Sequence, residues 1–543
     1  MTTRPAKLGS MTSCDTHIAQ AASVVLARHL VAILVGAGVR HWFYSPGSRN
    51  APLGYVLADL AAAGDIELTV RIDERDAAFM ALGVAKTDVL AAVVMTSGTA
   101  VGNALPAVME ASHAGVPLIV LSADRPARLR GSGANQTTWQ PGIFANFVRF
   151  EADIDSEANL EASLECLLSA ARGENQGEAK TGAAFPCDPG PVHLNVCFDE
   201  PLTPAAVRTI GGNAAPTGKS KLRLPAPRGR GTVLVVGSFP GKNFPDEPQL
   251  WREAVAKRIP VCSEPGAGKW REHPNAVRCY SNIMADPDWF EAIDRAVVIG
   301  RPTLTRPITR LMQSEKAEFF EVAGQRVNLD GAAHPRWHSA AALSESLAPH
   351  AGEWLDEWRS AGETLAENLA SKWGMYQACA DIWESGSDLF LGASLTIRAF
   401  DAVAGTSEKP GRVVFANRGL AGIDGTLASA WGVALARGKA LRVVLGDVSY
   451  CHDLGQLNLG TTETVPDLQI VVLDNRGGRI FADLEHGAAP EDVLKRMFLT
   501  EQRAVNETLG WQCFTARNRD ELRALLEVPI RGVSVLRVQC GVG

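Results

Sequence analysis

Residues 441–480, LRVVLGDVSYCHDLGQLNLGTTETVPDLQIVVLDNRGGRI, hold two short apolar runs that constrain the fold more than any other stretch. Leu441 to Leu445 stops on Gly446-Asp447, and Gln469 to Leu473 stops on Asp474-Asn475 and then Gly477-Gly478. Continuous β-branched runs closed by Gly and Asp read as parallel strands buried on both faces. A doubly wound sheet receives its ligands beyond the carboxyl ends of such strands. If the two strands are near neighbours, Asp447, Asn475 and a backbone carbonyl meet at one edge as hard oxygen donors suited to Mg²⁺. Turn chemistry after strands accounts for the same residues without any ion.

The chain has 543 residues, too many for one core, so about three domains are expected. A formal net charge of −7 and the lack of a basic run argue against nucleic acid or an anionic membrane as partner. An anionic substrate would then be met by local arginines. The ten cysteines are scattered singly, which fits a reducing cytosol, so a cytoplasmic protein is expected. The polar N-terminus lacks an apolar signal segment, and the run from Ala21 to Val39 carries Arg28 and His29, so it reads as a buried helix and no membrane span is expected.

In the first third, HWFYSPGSRNAPL (41–53) reads as a strand and a turn-rich loop holding Ser48 and Arg49. IELTVRIDERDAAFMALGVAKT (66–87) reads as a strand, then a helix with Asp73, Glu74 and Asp76 in its first turn. Carboxylates there complement the helix dipole, which is reason enough for them. AAVVMTSGTAVGNALPAVMEASHAGVPLIVLSADRP (91–126) is a β-α-β unit ending at Arg125, followed by a glycine-rich loop with Asn135 and Gln136. Residues 200–231 are rich in Pro, Gly and basic residues and read as a linker. From Gly231 to about Gly331 the pattern is α/β again, without a GxGxxG dinucleotide signature. Arg301 and Arg306 there read as surface arginines after a strand, with a position facing a ligand cleft as the alternative. Trp354, Trp358, Leu365 and Leu369 share one face of a helical linker. In the last third, Ser394 stands at the start of a helix with Arg398 one turn later. Residues 412–436 give a strand, a loop with Gly419, Gly422 and Gly425, and a small-residue helix, so the backbone there can approach a ligand closely.

The Gly-Asp, the gap of a little under thirty residues and the Asn closing a strand resemble the metal motif of the thiamine-diphosphate (ThDP) enzymes. SPGSRNAPL, TSGTAVGNALPAVMEA, ADRP and GANQTTWQ, in this order before 441–480, are similar to the menaquinone-pathway synthases of that family (MenD). The resemblance implies an α/β fold of three doubly wound parallel-sheet domains. These are a pyrimidine-binding domain at 15–200, a linker at 201–230, a central Rossmann-like spacer at 231–340, a helical linker at 341–375 and a diphosphate-binding domain at 376–543. It implies ThDP with Mg²⁺ (or Mn²⁺) as cofactors, decarboxylation of 2-oxoglutarate, and 1,4-addition of the resulting unit to isochorismate. It also implies a homodimer or dimer of dimers with sites at the subunit interface.

Residue by residue, the resemblance makes Glu74 the acid that hydrogen-bonds the aminopyrimidine ring and activates the cofactor. Asp447, Asn475 and the Gly477 carbonyl become metal ligands. Where the family carries Asn-Asn this chain has Asp474-Asn475, and the offset to Gly477 favours Asn475. Ile423 becomes the wedge under the cofactor, with Ser394, Gly419, Gly422 and Ile480 around it. Ser48, Arg49, Arg125, Asn135, Gln136, Ser394, Arg398 and Arg418 become substrate ligands, and Phe481 and Leu484 part of an apolar wall. Another ThDP-dependent 2-oxo acid decarboxylase or carboligase, or a non-catalytic diphosphate-binding protein on the same fold, is the alternative.

Overall fold

The computed structural model describes residues 21–541 apart from 88, 175–188, 205–223, 239–244, 323–333, 348–352, 407–408, 410, 483 and 499–500. The expected domain and linker ranges that include 15–20, 205–223, 348–352 and 542–543 therefore lie partly outside the described residues. The chain forms three sheets whose strands pair in parallel throughout.

The first sheet holds β1 (His41–Tyr44), β2 (Glu67–Val70), β3 (Ala91–Met95), β4 (Leu118–Asp124), β5 (Phe150–Ile154) and β6 (Val192–Cys197), in the order β2-β1-β3-β4-β6-β5. The second holds β7 (Gly231–Val236), β8 (Val261–Ser263), β9 (Ile293–Ile299), β10 (Ala317–Phe320) and β11 (Arg336–Trp337), in the order β11-β10-β9-β7-β8. The third holds β12 (Leu389–Leu391), β13 (Val414–Phe415), β14 (Leu441–Gly446), β15 (Leu468–Asp474), β16 (Gln512–Ala516) and β17 (Val533–Gln539), in the order β13-β12-β14-β15-β17-β16. The two runs that opened the sequence reading are thus adjacent strands, with Gly446 opposite Leu473.

Each sheet has an inner point where the strand order reverses, between β1 and β3, between β7 and β9, and between β12 and β14, and the first and third sheets reverse again at their β6-β5 and β17-β16 edges. A crevice opens at such a switch point because the two connections leave toward opposite faces. The loops that enter these crevices are 45–50 with 96–99, 237–238 with 300–304, and 392–394 with 446–447. Ser48, Arg49, Ser394 and Asp447 lie on them.

The helices are placed by what they bury. Helix 74–85 starts with Asp73 accepting the Arg75 N–H at 2.9 Å, and buries Ala77, Ala78, Ala81 and Leu82 against Phe43 and Val93. Trp354, Trp358 and Leu365 of helix 353–369 join the core shared by the second and third sheets, with Leu369 packed beside it. The strand expected from 412 is short, and only Val414 and Phe415 pair with β12. No described helix is long and apolar enough to cross a membrane.

Candidate active site

Two carboxylates sit where β14 and β15 end. Asp447 is buried at the start of helix 447–452 and accepts the N–H groups of Val448 at 2.8 Å and Gly477 at 2.7 Å. Burial, with Asp474 beside it, pushes its carboxyl up to about 6. Asp474 accepts the Arg476 N–H at 3.1 Å and is bound by the guanidinium of Arg537, with Nε at 2.8 Å. Arg537 therefore occupies the Asp474 carboxylate, whereas the Asn475 side chain makes no such ion pair. Arg476 and Gly477 both have positive φ (63° and 107°), which turns the chain back so that Gly477 N–H points at Asp447. The donor set at this edge is all oxygen and suits Mg²⁺ or Mn²⁺.

Helix 447–452 runs from that edge to a second group. His452, at its last position, has Nε2 3.6 Å from Glu74 Oε2 and Nδ1 3.3 Å from Asp453 Oδ1. Of the three acids in the first turn of helix 74–85, Glu74 alone is buried. Asp73 caps the helix, and Asp76 pairs with Arg71 at 2.9 Å. Asn103 donates to Glu74 at 3.4 Å. Beside this group Thr99 Oγ1 donates to Asp424 Oδ1 at 2.6 Å. A Cβ on Gly422 would lie 2.3 Å from both Thr99 Oγ1 and Asp424 Oδ1, so a side chain there would displace one of those groups. Ile423 and Gly419 lie half-buried or exposed on the same loop. Within one chain, Glu74 therefore lies against the helix that begins at Asp447.

A third group is cationic. Arg398 is held by its Nε on Leu304 O at 2.8 Å and by Nη1 on Ser394 O at 2.6 Å. Ser394 itself has φ 73° at the start of helix 395–403 and makes no side-chain cap. Arg418 donates from Nη2 to Thr303 Oγ1 at 2.8 Å. Burial, with Arg418 nearby, lowers the Arg398 guanidinium to about 10. Arg125 donates to Ser97 Oγ at 2.6 Å and to Gln136 O at 2.9 Å, and burial beside Arg49 lowers it to about 9. Arg49 donates to Phe198 O at 2.9 Å. Gln136 takes φ 52°, and Asn135 precedes it with its carbonyl accepting from Thr137.

Arg301 lies close enough to act on Arg418. Its Nε donates to Gly133 O at 2.8 Å, so a residue of the second sheet reaches the 130–140 loop of the first. Arg306 pairs with Glu485 at 2.7 Å. Both were read from sequence as surface arginines. The signal that finds Arg301 is its position directly after β9, at the switch point of the second sheet.

The fourth group is aromatic. Phe481 lies 5.5 Å from Phe498 and 6.3 Å from His486, ring to ring. The fully buried His486 ring is 3.3 Å from Ser48 Oγ and 3.1 Å from the Tyr55 hydroxyl. Burial lowers His486 to about 4, so it is a neutral hydrogen-bonding ring at neutral pH. Ile480 and Leu484 flank Phe481 and are half-buried. His486 and His452 are site neighbours that sequence reading did not single out, because nothing in their local pattern separates them from surface histidines.

The N-terminal part of the chain, residues 24–143, matches the thiamine pyrophosphate enzyme N-terminal TPP binding domain. The whole chain is similar to curated proteins named 2-succinyl-5-enolpyruvyl-6-hydroxy-3-cyclohexene-1-carboxylate synthase. One from Paenarthrobacter aurescens is 40% identical over 95% of this chain and 94% of its own length. One from Arthrobacter sp. strain FB24 is 38% identical over 95% and 89%. One from Mycolicibacterium smegmatis is 33% identical over 95% and 96%.

Proposed function

We propose a single reaction for this chain, which belongs to the 2-succinyl-5-enolpyruvyl-6-hydroxy-3-cyclohexene-1-carboxylate synthase family of ThDP enzymes: decarboxylation of 2-oxoglutarate and 1,4-addition of the remaining four-carbon unit to isochorismate. The chain is a transferase of menaquinone biosynthesis. The observation that carries the substrate assignment is the arginine cluster. Arg398 and Arg418 both reach the 303–304 turn that follows Arg301, in a protein whose net charge is −7. Buried cations gathered against the overall charge suit substrates with several carboxylates.

ThDP, when bound, supplies the electron sink for loss of CO₂ from a 2-oxo acid. The residues present fit it. Asp447, Asn475 and the Gly477 carbonyl are placed to hold Mg²⁺ or Mn²⁺ and through it a diphosphate. Glu74, which accepts from Asn103 and lies 3.6 Å from His452 Nε2, would hold and return a proton at the aminopyrimidine ring nitrogen. Gly419, Gly422 and Ile423 form the surface under the cofactor, and Ser394 and Ile480 complete it. Arg398 and Arg418 grip the carboxylates of one substrate. Ser48, Arg49, Arg125, Asn135 and Gln136 face the other. Phe481 and Leu484 keep water from the reacting carbon.

We assign pyrimidine recognition to the first sheet's domain and diphosphate binding to the third's. A cytoplasmic homodimer, or a dimer of dimers with sites at the interface, is part of the same proposal. Replacing Arg398 or Arg418 by Ala removes a charge-assisted contact, and the KM for 2-oxoglutarate is expected to rise about tenfold or more. Unchanged kinetics in the double variant would overturn the assignment. A different ThDP carboligase would release CO₂ from 2-oxoglutarate at the same rate with and without isochorismate. A non-catalytic diphosphate-binding protein would release none.

A further inference from the structure

We infer that Glu264, a residue of the central domain, is a positioning residue that sets the geometry of Arg398 and Arg418. The inference rests on the reading of those two arginines as substrate ligands. Glu264 follows β8 and is buried to 1% exposure. Its Oε1 accepts two backbone N–H groups, from Thr303 at 2.6 Å and from Leu304 at 3.0 Å. The other side of the same two residues holds the arginines. Thr303 Oγ1 accepts from Arg418 at 2.8 Å, and Leu304 O accepts from Arg398 at 2.8 Å. One carboxylate thus ties down a two-residue turn, and that turn ties down one guanidinium through each residue.

The turn has little room to move. A Cβ on Gly237, at the end of β7, would lie 2.1 Å from Pro302 N and 2.3 Å from Arg301 C. The backbone of 301–302 is therefore seated directly on that glycine. Arg301 N–H donates to Ser238 O at 3.0 Å from the same strand end. Glu264 N–H in turn donates to Val236 O at 2.8 Å, so the carboxylate and the turn are anchored to neighbouring positions of one strand.

The charged and titratable groups that face Glu264 come from four packed elements. They are Arg301 after β9, Arg398 and Asp401 on helix 395–403, Arg418 on the glycine loop, and Tyr280 of the central domain. Its second oxygen, Oε2, is buried with no hydrogen-bond partner. A carboxylate kept in this state among three guanidiniums is costly for packing alone. Its retention is explained if the negative charge orients the cations for an incoming carboxylate. Burial raises the Glu264 carboxyl to about 7, so its charge changes near neutrality.

The test is steady-state kinetics of the holoenzyme, with ThDP and Mg²⁺, for wild type, Glu264→Ala, Glu264→Gln and Arg398→Ala. Each is measured across neutral pH, with thermal melts alongside. Glu264→Ala is expected to raise the KM for 2-oxoglutarate about tenfold while kcat changes less, because the arginines lose their seat. Glu264→Gln keeps an acceptor for the two N–H groups and is expected to recover part of that KM. The wild-type KM is expected to show an inflection near pH 7 that this variant lacks. If Glu264→Ala does not fold, Glu264→Gln carries the test. Wild-type KM and pH profile in the Glu264 variants, or a loss of melting temperature alone, overturns the inference while a raised KM in Arg398→Ala leaves the substrate reading standing. A wild-type KM in Arg398→Ala overturns both.

Discussion

His452 shows how much of this site depends on single side chains that local sequence does not mark. Burial opposes its charge, but the Asp453 and Glu74 carboxylates on either side hold the proton and raise it from 6.5 to about 10. A histidine raised in the folded state contributes stability that is complete below about pH 6.5 and is lost as pH rises through about 10. The cofactor-free protein is therefore expected to lose melting temperature between pH 7 and pH 10, and His452→Gln to flatten that slope. A slope unchanged in the variant would mean that the imidazolium is not held by these carboxylates. Glu74 was legible as one of three candidate acids because strand-then-acid-then-small-residue helix is a visible pattern. What separates it from Asp73 and Asp76 is three-dimensional, since those two spend their carboxylates on the helix cap and on Arg71. The Asp474/Asn475 ambiguity has the same character, because Arg537, sixty-three residues away, engages Asp474.

At the scale of elements, strand ends and their glycines explain why three parallel sheets were legible while the reach of single side chains from the second was not. Parallel strands buried on both faces leave continuous apolar runs, so β14 and β15 were visible, whereas their adjacency needed the strand order. The loop 419–425 was legible as a close-approach segment from its glycines alone. The second sheet carries no motif, and without strand order Arg301 is an ordinary post-strand arginine. Its role emerges only when β7 and β9 are seen to flank the switch point. Gly422 offers a test at this scale. In Gly422→Ala the new methyl would meet Thr99 Oγ1 and Asp424 Oδ1 at 2.3 Å, so their hydrogen bond must break or the loop must shift away from helix 99–103. Overpacking of this kind costs about 1–3 kcal/mol. Melting temperature and ThDP titration are expected to fall together; a melting temperature that falls with wild-type ThDP affinity would place the loop outside the cofactor site.

For the whole molecule, the three sheets converge on one region, and the central domain is more than the spacer its motif-free sequence suggested. Arg301 crosses to the first domain and Thr303 and Leu304 meet arginines of the third. The family relation carries the proposal of a homodimer, although one chain already brings Glu74 and helix 447–452 together. Sedimentation of the active protein is expected to give at least twice the chain mass of 57.9 kDa. An active species at the mass of one chain would show that each subunit holds a complete site. The central claim is that Glu74 and the Asp447 edge jointly serve one ThDP-dependent carboligation. It is tested most directly by following isochorismate absorbance with 2-oxoglutarate, ThDP and Mg²⁺, for wild type and Glu74→Gln. The account expects loss of isochorismate in the wild type only when all components are present, and no loss in Glu74→Gln despite retained ThDP. Isochorismate left untouched while CO₂ is released, or wild-type turnover in Glu74→Gln, would contradict it.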